Sequence, residues 1–173
     1  MLFRSSVGDF AIEAVQTMAR IIERTEEELI ERIPALMAAP KTKGGAITKA
    51  AAEVGIIVEA KYLITFTQSG DSARRMSRLR SKIPMIAITR ESHVYNQLAL
   101  SWGVEPMITE LVSTTDEMVR QADNIIINSK RAQKGELVVI VAGSPPGIPG
   151  SINAMRVHKV GDAVDGVVAA YRK

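Results

Sequence analysis

Leu137–Ala142 reads LVVIVA, and no residue in it carries a polar side chain. Alternate residues of a strand point to opposite faces, so a run apolar at every position has no side to offer to water. It belongs inside a parallel sheet with helices packed on both faces. Upstream of it the chain alternates. Leu63–Thr67, Met85–Thr89 and Met107–Thr109 read as strands, while Asp71–Arg80, His93–Trp102 and Thr115–Ala132 read as helices. The last helix has a marked start, because Thr114 and Glu117 stand at capping-box spacing, and its inward stripe is Met118, Val119, Ala122, Ile125 and Ile126. Downstream, Asn153–Val160 reads as a final strand. The loop that reaches it is too short for a crossover helix, so this strand is expected antiparallel at an edge. The fold expected is α/β, a doubly wound three-layer α/β/α sandwich whose mostly parallel sheet has about five strands and takes ligands at their carboxyl ends.

Two helices precede the first strand. Ile12, Val15, Met18, Ala19, Ile22, Leu29, Ile30 and Ile33 recur at helical spacing, with Glu13, Arg20, Glu23, Arg24, Glu27, Glu28 and Glu31 between them as a solvated face. Pro34 stops that helix. Pro40–Gly45 reads as a loop whose glycines precede a second helix through Ile47, Ala50, Ala51, Val54 and Val58. The whole chain, 1–173, is read as one domain with a leading segment 1–10 and a tail 161–173.

Composition narrows the function. Of 173 residues 46% are hydrophobic and only 4% aromatic, so the core is aliphatic; the net charge of +3 lacks the long Lys/Arg tract of a dedicated nucleic-acid binder. With no cysteine, disulfides, thiolate metal sites and a thiol nucleophile are excluded. No apolar run reaches the roughly 18 residues of a membrane span and no secretory segment is recognisable, so a cytoplasmic protein is expected.

The candidate site is Tyr62–Arg80, YLITFTQSGDSARRMSRLR, where a strand ends in Thr67, Gln68, Ser69, Gly70, Asp71 and Ser72 and turns into a basic helix. Free N–H groups and the dipole at a helix start favour an anion, and Thr67, Ser69 and Ser72 add hydroxyl donors where Gly70 permits close approach. The same residues would serve as a simple helix cap, and pattern alone leaves both readings open. Arg74, Arg75, Arg78 and Arg80 spread around the helix without aromatic partners, which favours solvated surface or subunit contacts over a nucleic-acid stripe. His93 and His158 have no metal-ligand spacing. No phosphate-binding Walker motif, dinucleotide fingerprint or nucleophile elbow occurs, so neither catalysis nor a cofactor is expected. Trp102, the single tryptophan, reads as packing or interface. A second stretch, Gly143, Ser144, Pro145, Pro146, Gly147, Ile148, Pro149, Gly150 and Ser151, leaves the carboxyl end of the LVVIVA strand as an ordered Pro/Gly loop.

Four segments in order, Ser6–Val15, Ile47–Ala51, Phe66–Arg75 and Val139–Gly147, resemble the carboxyl-terminal domain of bacterial pyruvate kinase over about Ser6 to Val160. The resemblance implies a regulatory and oligomerisation domain of a glycolytic phosphotransferase that converts phosphoenolpyruvate and ADP to pyruvate and ATP. It also implies that the catalytic sites lie in a barrel elsewhere, so that this chain alone is not an enzyme. The family's effector-phosphate loop, T-x-S-G-x-T/S, matches Thr67, Ser69, Gly70 and Ser72. Gly143, Ser144, Pro145, Pro146, Gly147 and Gly150 correspond to a later effector loop. Members that answer to fructose 1,6-bisphosphate often place an aromatic and an arginine in that loop; this chain has neither, which points to a sugar monophosphate or AMP. Leu2–Ser5 departs from the family's serine-glycine-glutamate-threonine motif and reads as a new amino terminus. The partners implied are a phosphorylated small molecule and further copies of the chain, with no nucleic acid and no membrane. The alternative is a purely structural assembly module with a vestigial loop.

Overall fold

The computed structural model describes residues 8–29, 39–110, 112–144, 146, 148 and 150–164. The chain divides into two compact units, Met1–Ala35 and Leu36–Lys173. The first contains α1 (Ala11–Leu29), on which Val15, Met18 and Ile22 form one apolar face. On the charged side Arg24 pairs with Glu27 at 3.1 Å and with Glu28 at 3.3 Å. Ile30, Ile33 and Pro34, expected to extend and stop this helix, lie outside the described residues.

The second unit runs α2 (Lys43–Ile57), β1 (Tyr62–Phe66), α3 (Asp71–Ser77), β2 (Met85–Thr89), α4 (Ser92–Leu98), β3 (Val104–Ile108), α5 (Thr115–Asn128), β4 (Leu137–Gly143) and β5 (Ile152–Lys159). Its five strands are ordered β3-β2-β1-β4-β5. β1 pairs in parallel with both β2 and β4, and β2 with β3, whereas β5 runs antiparallel to β4 at the edge. The expected α/β/α sandwich with an antiparallel last strand is therefore what the chain forms.

Strand alternation sends the two faces of the sheet to different helices. Leu63, Met85, Val139 and Val141 pack against Ala51 and Ala52 of α2 and Met76 of α3, and Ala87 meets Val94 and Leu98 of α4. Ile64, Ile86, Ile88, Val138 and Ile140 face the other way, onto Val119, Ala122 and Ile126 of α5. The first two crossovers thus lie on one face and the third, α5, on the other. That change of side creates a switch point between β1 and β4, and in open α/β sheets the strands' carboxyl ends part there into a crevice.

Some boundaries differ from the sequence reading. Lys43, Gly44 and Gly45 open α2 instead of preceding it, because the Thr42 hydroxyl caps the helix by accepting the Gly45 N–H at 3.1 Å. Farther along α2, a Cβ at Gly55 would stand 2.9 Å from both Leu63 and Ile83, so the glycine lets this helix press on the sheet. α3 stops at Ser77, short of the expected Arg80, whose φ of 50° puts it in the left-handed region that ends helices. α4 stops at Leu98, before Trp102, and β3 begins at Val104, earlier than the expected Met107. α5 ends at Asn128, short of Ala132.

Candidate functional site

The ladder of β1 extends one residue past Phe66, since the Thr67 N–H donates to Ile88 O at 2.9 Å. The chain then turns through Gly70, whose φ of 79° is left-handed and which serves as N-cap of α3 without any side-chain cap. Within the turn the Gly70 N–H donates to Thr67 Oγ1 at 2.9 Å, and the Asp71 N–H to Ser69 Oγ at 3.4 Å. Both hydroxyl oxygens act as acceptors inside the loop, which leaves their own O–H protons to donate elsewhere. Ser72 is buried at the start of α3.

Arg74 and Arg75, both half-buried, staple this loop. Arg74 bends back so that Nη2 donates to Ser69 O at 2.6 Å, and its Nη1 would stand 2.8 Å from any Cβ placed on Gly70. Arg75 joins Asp71 at 2.6 Å and reaches Thr42 Oγ1 at 3.2 Å, tying α3 to the cap of α2. Arg78 is exposed, and Arg80 lies over the Trp102 ring at 4.5 Å. The arginine helix is thus divided between loop and surface roles.

On the other side of the switch point, the loop after β4 closes on itself. The register of β4 and β5 shifts between Ala142 and Gly143, and a Cβ on Gly143 would fall 2.0 Å from Ser151 Oγ, so only glycine fits there. Ser151 Oγ donates to Ile148 O at 2.6 Å. Ser144 exchanges two hydrogen bonds with the side chain of Asn153, accepting from Nδ2 at 2.5 Å and donating to Oδ1 at 2.7 Å. Pro145 and Gly147, both expected site residues, lie outside the described residues.

A cleft of about 100 Å³ lies between these two loops. Thr67 and Gln68 line it from one side and Gly143, Pro146, Ile148 and Ser151 from the other, so the two stretches singled out in the sequence meet around one space. Ser69, Gly70, Asp71, Ser72, Ser144 and Gly150 are not among its lining residues. The cleft also contains residues that sequence reasoning missed: Thr89 at the end of β2 and Arg90 after it, Thr109 and Glu110 after β3, and Gln121 on α5. The signal for the first four was present, because each pair stands at the carboxyl end of a strand, where such folds bind ligands. Arg90 donates to Glu91 at 2.9 Å and Gln121 to the Glu110 carbonyl at 3.0 Å, whereas the Oε1 of Gln68 is buried without a hydrogen-bond partner among the described residues.

Three helices start near the cleft; α3 and α4 have no side-chain cap, whereas α5 is capped by its own side chains. At α5, Thr114 Oγ1 accepts the Glu117 N–H at 3.2 Å, and Glu117 Oε2 accepts the N–H groups of Ser113 at 2.9 Å and Thr114 at 3.1 Å. Those bonds, Ser113's first, hold the Glu117 carboxyl below its ordinary range. α5 therefore brings its own anion, while α3 has no side-chain cap. Among the described residues no cluster of His, Asp or Glu could hold a metal ion, and no helix is long and apolar enough to cross a membrane.

Strand order and switch point define a doubly wound α/β domain with a cleft at the strands' carboxyl ends. Residues 45–158 match the model of the family described as pyruvate kinase, alpha/beta domain, and the chain belongs to that family. It is 44% identical over 158 residues to a pyruvate kinase of Mycobacterium tuberculosis, covering 91% of this chain and 33% of the relative. With those of Corynebacterium glutamicum and Clostridium acetobutylicum the identities are 39% over 158 residues and 35% over 159, covering 91% and 90% of this chain and 33% and 34% of each relative. The chain spans about a third of the length of these relatives.

Proposed function

We propose that this chain acts as a regulatory and oligomerisation domain of the pyruvate kinase type, binding a phosphorylated small molecule at Thr67–Ser72 with the rest of the ligand in the adjoining cleft. The observation that carries this reading is the uncapped start of α3 at the β1 end of the switch point, beside a cleft walled by the loop after β4. An anion there meets the positive end of a helix and the free hydroxyl protons of Thr67 and Ser69, with Arg74 one turn away. Gln68, Asp71 and Ser72 complete the proposed phosphate set, and Gly143, Ser144, Pro145, Pro146, Gly147 and Gly150 the facing loop. A sugar monophosphate or AMP is the proposed ligand. The chain 1–173 is taken as one functional domain of a cytoplasmic, glycolytic, homo-oligomeric protein, and phosphoryl transfer from phosphoenolpyruvate to ADP is assigned to a catalytic region outside it. Neither nucleic acid nor membrane is a proposed partner.

Thermal unfolding with millimolar glucose 6-phosphate, AMP or fructose 1,6-bisphosphate tests the reading. A ligand bound only to the folded state at about a hundred times its Kd adds about 2.7 kcal/mol, and Ser69→Ala and Ser72→Ala should diminish the shift. The Gly70 N–H bonded to Thr67 and the Arg74 guanidinium on Ser69 O show a loop that partly satisfies itself, which favours the second reading, an assembly module with a vestigial loop. No shift with any of the three ligands would establish that second reading over the first. A coupled assay with phosphoenolpyruvate and ADP should give no turnover from this chain alone.

A further inference from the structure

Asn153 lies on the exposed side of β5, outside the core and outside the cleft lining, yet both ends of its amide are engaged with the backbone of one residue. Its Oδ1 accepts the Ser144 N–H at 2.7 Å, and its Nδ2 donates to the Ser144 carbonyl at 2.5 Å. That is the pairing a neighbouring strand would offer. It occurs one residue beyond Gly143, where the β4–β5 register shifts and the backbone ladder no longer serves. Ser144 is held on its other side as well, its hydroxyl lying 3.4 Å from that of Thr115, the first residue of α5. Beyond Ser144 the loop returns through Ile148, whose carbonyl accepts from Ser151 Oγ at 2.6 Å, to pack Ser151 against Gly143. Of these residues Gly143, Ile148 and Ser151 wall the cleft.

We infer that Asn153 is the positioning residue of this wall: its side chain acts as a surrogate strand partner that fixes where the loop after β4 leaves the sheet, and so sets the shape of the cleft without touching it. A glutamine at 153 is one methylene too long to meet both backbone groups of Ser144. An aspartate accepts the Ser144 N–H but opposes the Ser144 carbonyl with a second acceptor. The effect on ligand binding rests on the phosphate-binding reading above; the effect on the loop does not.

The test uses the full chain, isotope-labelled, as wild type, Asn153→Ala, Asn153→Asp and Asn153→Gln. In Asn153→Ala, amide exchange at Ser144 and Ser151 should quicken about tenfold or more, the equivalent of one net hydrogen bond, while amides of β1 and β2 keep their wild-type rates. Asn153→Gln should fail to restore protection, and Asn153→Asp, which keeps an acceptor for the Ser144 N–H but no donor to the Ser144 carbonyl, should restore it only in part. Faster exchange throughout the sheet would mark a merely structural role and overturn the inference, as would unchanged exchange at Ser144. Calorimetric titration with glucose 6-phosphate supplies the second arm. Affinity about tenfold weaker in Asn153→Ala than in wild type supports the inference, and equal affinity overturns it. Absence of binding to wild type for this and the other phosphate ligands would refute the phosphate reading alone, and exchange at Ser144 then decides the role of Asn153.

Discussion

The carboxylate of Asp123, on α5, lies 2.8 Å from Nε2 of His158, on β5, with both side chains almost wholly withdrawn from solvent. Its other oxygen accepts the N–H groups of Gly161 at 3.1 Å and Ala163 at 3.0 Å. One buried side chain therefore ties the helix layer to the edge strand and to the turn that follows it. Truncation would leave the imidazole and two backbone donors without an acceptor. Asp123→Ala should cost about 3 kcal/mol in urea unfolding, and Asp123→Asn less, because one oxygen is retained. A loss within experimental error for Asp123→Ala would show that the pair is not a structural tie.

Glu117 offers a test with a pH sign. Its folded-state carboxyl is held below the ordinary glutamate range by the Ser113 and then the Thr114 N–H. A depressed folded value means that the contribution is complete above the unfolded value and disappears as pH falls through the folded one. The melting-temperature gap between wild type and Glu117→Gln should accordingly be widest near neutrality, narrow once pH falls below the ordinary glutamate range, and close in more acid solution. A gap independent of pH would contradict the capping role.

Gly70 combines a left-handed φ of 79° with a guanidinium where a Cβ would go. Gly70→Ala should destabilise by about 1–2 kcal/mol from the backbone alone and displace Arg74 from Ser69 O. Adding Arg74→Ala removes the collision but not the backbone strain, so the two changes should be non-additive. Strict additivity in denaturant unfolding would mean that Arg74 does not rest on Gly70.

Thr65 sits in the central strand with no exposure, and its hydroxyl has no hydrogen-bond partner among the described residues. Valine has the same branching without the buried polar atom. Thr65→Val should therefore raise stability, by about 1 kcal/mol, where most core substitutions lower it. A destabilised Thr65→Val protein would point to a water or ligand bonded to that hydroxyl.

Periodicity and turn chemistry carried most of the architecture. LVVIVA is buried on both faces, the Thr114–Glu117 capping box forms as its spacing implies, and the short β4–β5 connection makes β5 antiparallel. Two of the misread boundaries turn on local backbone detail. Thr42 draws two glycines into α2, and the left-handed Arg80 follows an α3 that has already ended. At the site, the paired loops were legible because Gly, Ser and Pro cluster where apolar strands stop. The roles of Arg74, Arg75 and Asn153 were not. A charge or amide on a local pattern gives no sign of which distant carbonyl or hydroxyl it will reach, and Arg75 finds Thr42 thirty-three positions away. Arg90, Glu110 and Gln121 become neighbours only through the sheet order.

The β3-β2-β1-β4-β5 order also sets a timetable for a chain emerging from the ribosome. The half-sheet β1-β2-β3 can assemble from neighbouring segments, whereas β4 must wait for α5 to carry the chain back over the opposite face before it finds β1. Until then the other flank of β1 is an open edge, and the cleft has only one wall. The cleft gains its second wall only when β4 and the loop after it have followed α5, so a nascent chain has its hydroxyl loop before it has a cleft beside it.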